Sequence, residues 1–169
     1  MGPVRYWLGL GANLGDCAAT LRRAVDALAA IGTVVSCSRI YSSAPVGGPP
    51  QPMYSNAALV LDAECDPPTL LGHAQAIERA LGRDRDAEVR WGPRTIDIDL
   101  LMAGDGGELV LVLPGLQLPH PRLHERAFAM AGVVELSPDL VHPSERRPLQ
   151  AMLRERLRQE TVAPTGEQL

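Results

Sequence analysis

Residues 90–101 read RWGPRTIDIDLL, and their two carboxylates, Asp97 and Asp99, are separated by one residue. On a strand successive side chains alternate faces. Asp97 and Asp99 therefore point the same way, with α-carbons about 6.6 Å apart, while Ile96, Ile98 and Leu100 point to the opposite face. Two like charges that close repel unless a cation lies between them, and a pair of divalent ions bridged by such carboxylates serves phosphoryl transfer. Taken alone, Asp-x-Asp also fits a solvated strand face. Arg83, Arg85, Arg90 and Arg94 precede the acidic pair closely, and guanidinium groups bind phosphate oxygens in a two-pronged way. Asp84, Asp86 and Glu88 interleave with them, so a charged surface loop is the alternative, above all for Arg85 and Arg90. Arg94 adjoins the strand and is the strongest phosphate candidate. Trp91, in the same polar loop, suits either a cover over a ligand or a loop anchor.

A second cluster, LPHPRLHERAF, spans residues 118–128. His120 lies between two prolines, which hold it in a stiff extended segment. It precedes Arg126 and Phe128, the only phenylalanine of the chain. His124 is expected as a surface residue at a helix start, and His73 and His142 as structural. No Gly-x-Ser-x-Gly elbow supports hydrolase chemistry.

The chain of 169 residues contains no lysine. That excludes a Walker A phosphate loop, a protein-kinase catalytic lysine and Schiff-base chemistry, so any phosphate must be handled by arginine. A formal net charge of −4 argues against a nucleic-acid partner. No apolar run approaches the roughly 18 residues of a membrane span, and Met1 to Arg5 does not open a secretory signal. Cys17, Cys37 and Cys65 lack Cys-x-x-Cys spacing and read as reduced thiols, which implies a cytoplasmic location.

These residues need a scaffold, and the pattern supplies one. Arg5–Leu10 reads as a strand. Asp16 is a candidate N-cap for a helix with Cys17, Leu21, Ala24, Val25, Leu28 and Ile31 at three- and four-residue spacing, closed by Gly32. Val34–Tyr41 reads as a second strand. Residues 43–53, SAPVGGPPQPM, form a loop. Tyr54–Leu61 is a third strand with Tyr54 and Asn56 on one face. Pro67 and Pro68 open a helix lined by Leu70, Ala74, Ile77 and Leu81. Pro93–Met102 returns to strand. The order β-α-β-β-α-β is ferredoxin-like. The expected fold is thus an α+β sandwich, with an extra strand over Leu109–Leu113 and helices over His124–Glu135 and Leu149–Arg158. The expected domain is residues 1–160, with 161–169 a frayed tail.

At the segments LGLGANLGD, RWGPRTIDIDLL and LPHPRLHERAF the chain resembles the 6-hydroxymethyl-7,8-dihydropterin pyrophosphokinase family, over most of its length to about Pro143. The resemblance implies a monomeric, cytoplasmic, ATP-dependent enzyme that moves pyrophosphate from ATP to a pterin alcohol and releases AMP in folate biosynthesis. It implies that Asp97 and Asp99 hold two Mg²⁺ ions with ATP, and that Arg83 and Arg94 contact the ATP phosphates. Trp91 would close over the site on a mobile loop. Gln75, Glu78, Ile98, His120 and Arg126 match positions lining the nucleotide pocket. Tyr54 and Phe128 match an aromatic pair that sandwiches the pterin, Asn56 the amide that reads its edge, and Ser43 and Val46 the loop that completes its pocket. Pro121, Gly115 and Gln117 depart from the residues that assist the nucleotide in some members. The acceptor of the alcohol proton is left open among Asp99, His120 and water. The alternatives are a non-catalytic ferredoxin-like binding module and an Mg²⁺-dependent nucleotidyltransferase.

Overall fold

The computed structural model describes residues 2–169, and no helix in it is long and apolar enough to cross a membrane. Strand β1 (Val4–Ala12) leads into helix α1 (Cys17–Ala29), whose N-cap Asp16 accepts a hydrogen bond from the Ala19 N–H. Strands β2 (Thr33–Cys37) and β3 (Arg39–Ser43) follow, then β4 (Tyr54–Ala63) and α2 (Pro67–Ala80). Asp66 caps α2 by accepting from the Thr69 N–H, and prolines fill its first positions, where the amide has no helical partner in any case. Strand β5 (Asp97–Ala103) completes the β-α-β-β-α-β unit.

The sequence pattern reads one strand over Val34–Tyr41, where the structure has two. Buried Ser38 is the cause. Its hydroxyl accepts from the Ala58 N–H and donates to the Arg39 carbonyl, so a side chain replaces a rung of the β4 ladder and breaks the run. Both halves still flank β4 antiparallel. The sheet runs β3-β4-β1-β5 with β2 continuing beside β4, which is the ferredoxin-like order.

One face of the sheet packs on α1 and α2 through Leu8, Leu10, Leu59, Leu61, Ile98 and Leu100 against Leu21, Leu28, Leu70 and Ile77. The other face is only partly covered. Helix α3 (Ala127–Leu136) and helix α4 (Leu149–Arg156) pack Met130, Val133 and Met152 against Trp7, Val60, Leu101 and Met102. At Gly132 the approach of α3 to β4 is so close that an added Cβ would lie 2.7 Å from the Ala58 Cβ.

Between β5 and α3 lie the hairpin β6 (Leu111–Leu113) and β7 (Leu116–Leu118), and a 3-10 turn at Leu123–Glu125. The expected helix from His124 starts later, because Arg126 is extended (φ −117°, ψ 96°). The ribbon β8 (Val141–His142) and β9 (Arg147–Pro148) precedes α4. Residues 161–169 correct the expectation of a frayed tail. Val162–Gln168 forms β10, which pairs antiparallel with β3, and Arg22 donates to the Gln168 carbonyl. A polar segment with Pro164 and Gly166 carries little strand signal of its own, and the free edge of β3 supplies its hydrogen bonds.

Candidate active site

Across the strand pair, Asp97 stands opposite Gly11 and Asp99 opposite Gly9. No side chain of β1 therefore fills the space in front of the carboxylates, and the cover of α3 ends short of them. A cleft of about 400 Å³ opens there. Ile98, between the two acids, is buried on the α1–α2 side, as strand alternation requires.

The two acids are held differently. Asp97 accepts from Arg83 Nη1 at 2.7 Å, and Asp99 accepts from Arg126 Nη1 at 3.3 Å. Burial, with the Asp97 charge behind it, pushes the Asp99 carboxyl up to about 7. A cation between the acids would relieve both causes. The described residues gather no cage of three or more His, Cys, Asp or Glu. A hard cation that takes one or two carboxylates and completes its shell with phosphate oxygens and water fits this donor set, and Mg²⁺ binds in that way.

His120 is fixed by a backbone bond from its N–H to the Leu101 carbonyl, 2.8 Å, and its Nε2 lies 3.9 Å from Asp99. Its Nδ1 accepts from the Arg122 N–H at 3.1 Å, and burial drives the ring down to about 4. The neutral ring then carries its proton on Nε2 and is a donor toward the carboxylate side, with no lone pair free for a substrate proton.

Arg83 is buried behind Asp97. Its Nη1 also pairs with Glu78, while Nε and Nη2 donate to the two oxygens of Glu88 at 2.7 and 3.1 Å. Arg94 Nη1 reaches the same Glu88 carboxylate. Burial opposes the Arg83 charge, but the surrounding carboxylates outweigh it and raise its pKa. Arg85, for which a loop charge is the sequence alternative to phosphate binding, donates to buried Glu78 at 3.1 Å.

The apolar side of the cleft comes from β4 and α3. Asn56 Nδ2 donates to Ser43 Oγ at 2.7 Å, and Tyr54 Oη donates to the Gly92 carbonyl at 3.2 Å. Phe128 is half-buried against the α3 core and also lines the cleft, with the Arg126 guanidinium 5.7 Å over its ring. The guanidinium groups of Arg90 and Arg122 lie 5.7 and 4.9 Å from the Trp91 ring. Gln51 Nε2 donates to the Trp91 carbonyl at 2.7 Å. The loop over 43–53 and the arginine loop are thereby joined.

The pattern of the 7,8-dihydro-6-hydroxymethylpterin-pyrophosphokinase family matches residues 7–138, which takes in both loops and every one of these side chains. The chain belongs to this family. A 2-amino-4-hydroxy-6-hydroxymethyldihydropteridine pyrophosphokinase of Methylorubrum extorquens is 46% identical over 140 residues, covering 82% of this chain and 85% of that protein. One of Pseudomonas aeruginosa is 39% identical over 144 residues, covering 84% and 86%. Among solved structures, an HPPK-DHPS chain in complex with substrates superposes over 94% of this chain with a TM-score of 0.72 at 11% identity. A Plasmodium falciparum HPPK-DHPS chain covers 92% with a TM-score of 0.71 at 12% identity. This chain spans 44% and 46% of those longer chains, and the likeness carries the fold.

Of the residues singled out in the sequence, Ser43, Val46, Tyr54, Asn56, Trp91, Arg94, Asp97, Asp99, Arg126 and Phe128 line the one cleft. His120 stands beside it through Asp99. Gln75, Glu78, Arg83 and Ile98 do not line it: Ile98 is in the core, Glu78 is buried beneath Arg83, and Gln75 is half-buried on α2. The cleft also takes in Gln51, Arg122, Arg156 and Glu160, which sequence reasoning missed. Arg122 had a signal, its place in the His120 segment. Arg156 and Glu160 had none, since they reach the site only through the docking of α4, where Arg156 Nε donates to the His124 carbonyl at 3.3 Å.

Proposed function

We propose that the chain transfers pyrophosphate from ATP to the hydroxymethyl oxygen of 6-hydroxymethyl-7,8-dihydropterin, releasing AMP, as a step of folate biosynthesis. The observation that carries the reading is the meeting, in one cleft of a chain of this family, of an acidic pair and an aromatic–amide surface. Tyr54 and Phe128 flank the flat heterocycle, and Asn56 meets its edge, with Ser43 and Val46 closing that side. The alcohol oxygen bonds to the β-phosphorus as the bond from that phosphorus to the AMP oxygen breaks. Asp97 and Asp99 hold two Mg²⁺ ions with ATP, which neutralise charge on the transferring group. Arg94, Arg126 and the Nε2–H of His120 donate to phosphate oxygens, and Arg83 joins them once released from its carboxylates. Gln75, Glu78 and Ile98, which do not line the cleft, support it from the α2 side. Trp91 covers the site and excludes water. The tautomer of His120 leaves Asp99 or water to take the alcohol proton. The chain acts as a monomer in the cytoplasm.

The test is a product assay with ATP, Mg²⁺ and the reduced pterin. AMP and a pterin diphosphate are expected in equal amounts. Formation of ADP, or release of free pyrophosphate, would replace this reading with that of an ordinary kinase or a nucleotidyltransferase.

A further inference from the structure

Glu88 is placed against the usual logic of a surface loop. Its neighbours Ala87 and Val89 are exposed, Val89 by 63%, while the Glu88 side chain is only 16% exposed and turned inward. Apolar side chains normally take the inward positions and acids the outward ones. The other acids of the loop behave normally: Asp84 is exposed and accepts from the Asp86 N–H at 3.1 Å. Glu88 alone reaches in, and it does so onto two arginines at once. Both its oxygens accept from Arg83, at 2.7 and 3.1 Å, and one also pairs with Arg94. A phosphate group engages arginine through the same two-pronged geometry.

We propose that Glu88 is an internal stand-in for phosphate. It holds Arg83 and Arg94 at the spacing phosphate oxygens require while nucleotide is absent, and it yields them when polyphosphate arrives. This rests on the reading that these arginines address ATP. Buried guanidinium donors without a partner are costly. Arg83 Nη1 has Glu78 and Asp97, while Glu88 is the partner of Nε and Nη2, at the expense of competing with the ligand. Release is local. The loop leaves α2 through Gly82, whose φ of +100° and open surroundings make it a pivot, and residues 84–87 are exposed with little packing to break. Glu88 is in this sense a positioning residue, because it acts on the reaction through the two arginines.

The experiment is calorimetric titration of the full chain, Glu88→Gln and Glu88→Ala with Mg²⁺ and a non-hydrolysable ATP analogue, alongside melting without ligand. Both variants should melt lower than the wild type and bind the analogue more tightly, by about tenfold, the scale of one charge-assisted hydrogen bond. KM for ATP should fall with no rise in kcat. A purely structural Glu88 predicts the reverse, looser arginines and weaker binding, and unchanged or weaker binding overturns the proposal. If the wild type makes no AMP, the pyrophosphokinase reading falls. The same titration with inorganic tripolyphosphate then still decides the role of Glu88.

Discussion

Asp97 and Asp99 look across the strand pair at glycines and not into the core, so their loss should separate activity from folding. Asp97→Ala or Asp99→Ala is expected to lower turnover by at least about 10²–10³-fold, the scale of losing one electrostatic stabiliser. Melting should change little by comparison, and a variant that keeps full turnover with Mg²⁺ and ATP would remove the metal role. Phe128 is a different case, because the ring serves two surfaces. It packs against the α3 core and lines the cleft, so Phe128→Ala should weaken pterin binding and also lower stability, leaving ATP binding nearly unchanged. Tyr54→Phe provides the contrast. It keeps the ring and deletes only the donor to the Gly92 carbonyl, so pterin affinity should hold within a few-fold. Titration of each variant with pterin and with ATP, paired with melting curves, checks both. These residues were legible in the sequence because strand alternation is a local rule: Asp97 with Asp99, and Tyr54 with Asn56, share faces by spacing alone. Arg156 and Glu160 were not, since their approach to the cleft depends on how distant elements dock.

At the scale of elements, α3 decides how far the open face of the sheet is covered, and Gly132 decides how closely α3 approaches. A Cβ there would lie 2.7 Å from the Ala58 Cβ and 3.0 Å from both the Ala58 amide nitrogen and Ser38 Oγ. Those atoms are themselves bonded, Ser38 Oγ accepting from the Ala58 N–H at 2.8 Å, so they cannot step aside. Gly132→Ala gains up to about 1 kcal/mol of helix propensity but meets an overpacking cost of about 1–3 kcal/mol. The cost should win, giving a net loss in denaturant titration, together with weaker pterin binding as α3 carries Phe128 away from β4. The capped helices were readable because Asp16, Asp66 and the paired prolines act within a few residues. The break between β2 and β3 was not, because it depends on a hydroxyl of Ser38 meeting Ala58, twenty residues further along the chain.

For the whole molecule, the cleft lies on the part of the sheet that α3 and α4 leave bare, and the opposite layer of α1 and α2 is the conventional core. Even so, the cleft is not closed by the ferredoxin-like unit alone. Arg156 and Glu160 come from residues beyond the family match at 7–138, and β10 follows directly to bind β3, the strand that ends in Ser43 of the cleft wall. Sequence composition could not announce that closure, because Val162–Gln168 is polar and interrupted by Pro164 and Gly166.

The same strand closes a sheet edge. A bare sheet edge offers unpaired amides and carbonyls to any neighbouring chain. Here β10 covers the edge of β3, and β10 itself contains Pro164, which has no N–H to offer, and an irregular stretch between Pro164 and Gln168 that interrupts the ladder. Deleting residues 162–169 would strip this guard and leave Arg39–Ser43 as a template. The shortened chain should associate with rising concentration, read as growing scattered-light intensity and larger species in sedimentation, while the full chain keeps one size. A shortened chain of constant size would mean that solubility is secured elsewhere. A segment that looks dispensable by composition would thus act as a barrier to self-assembly.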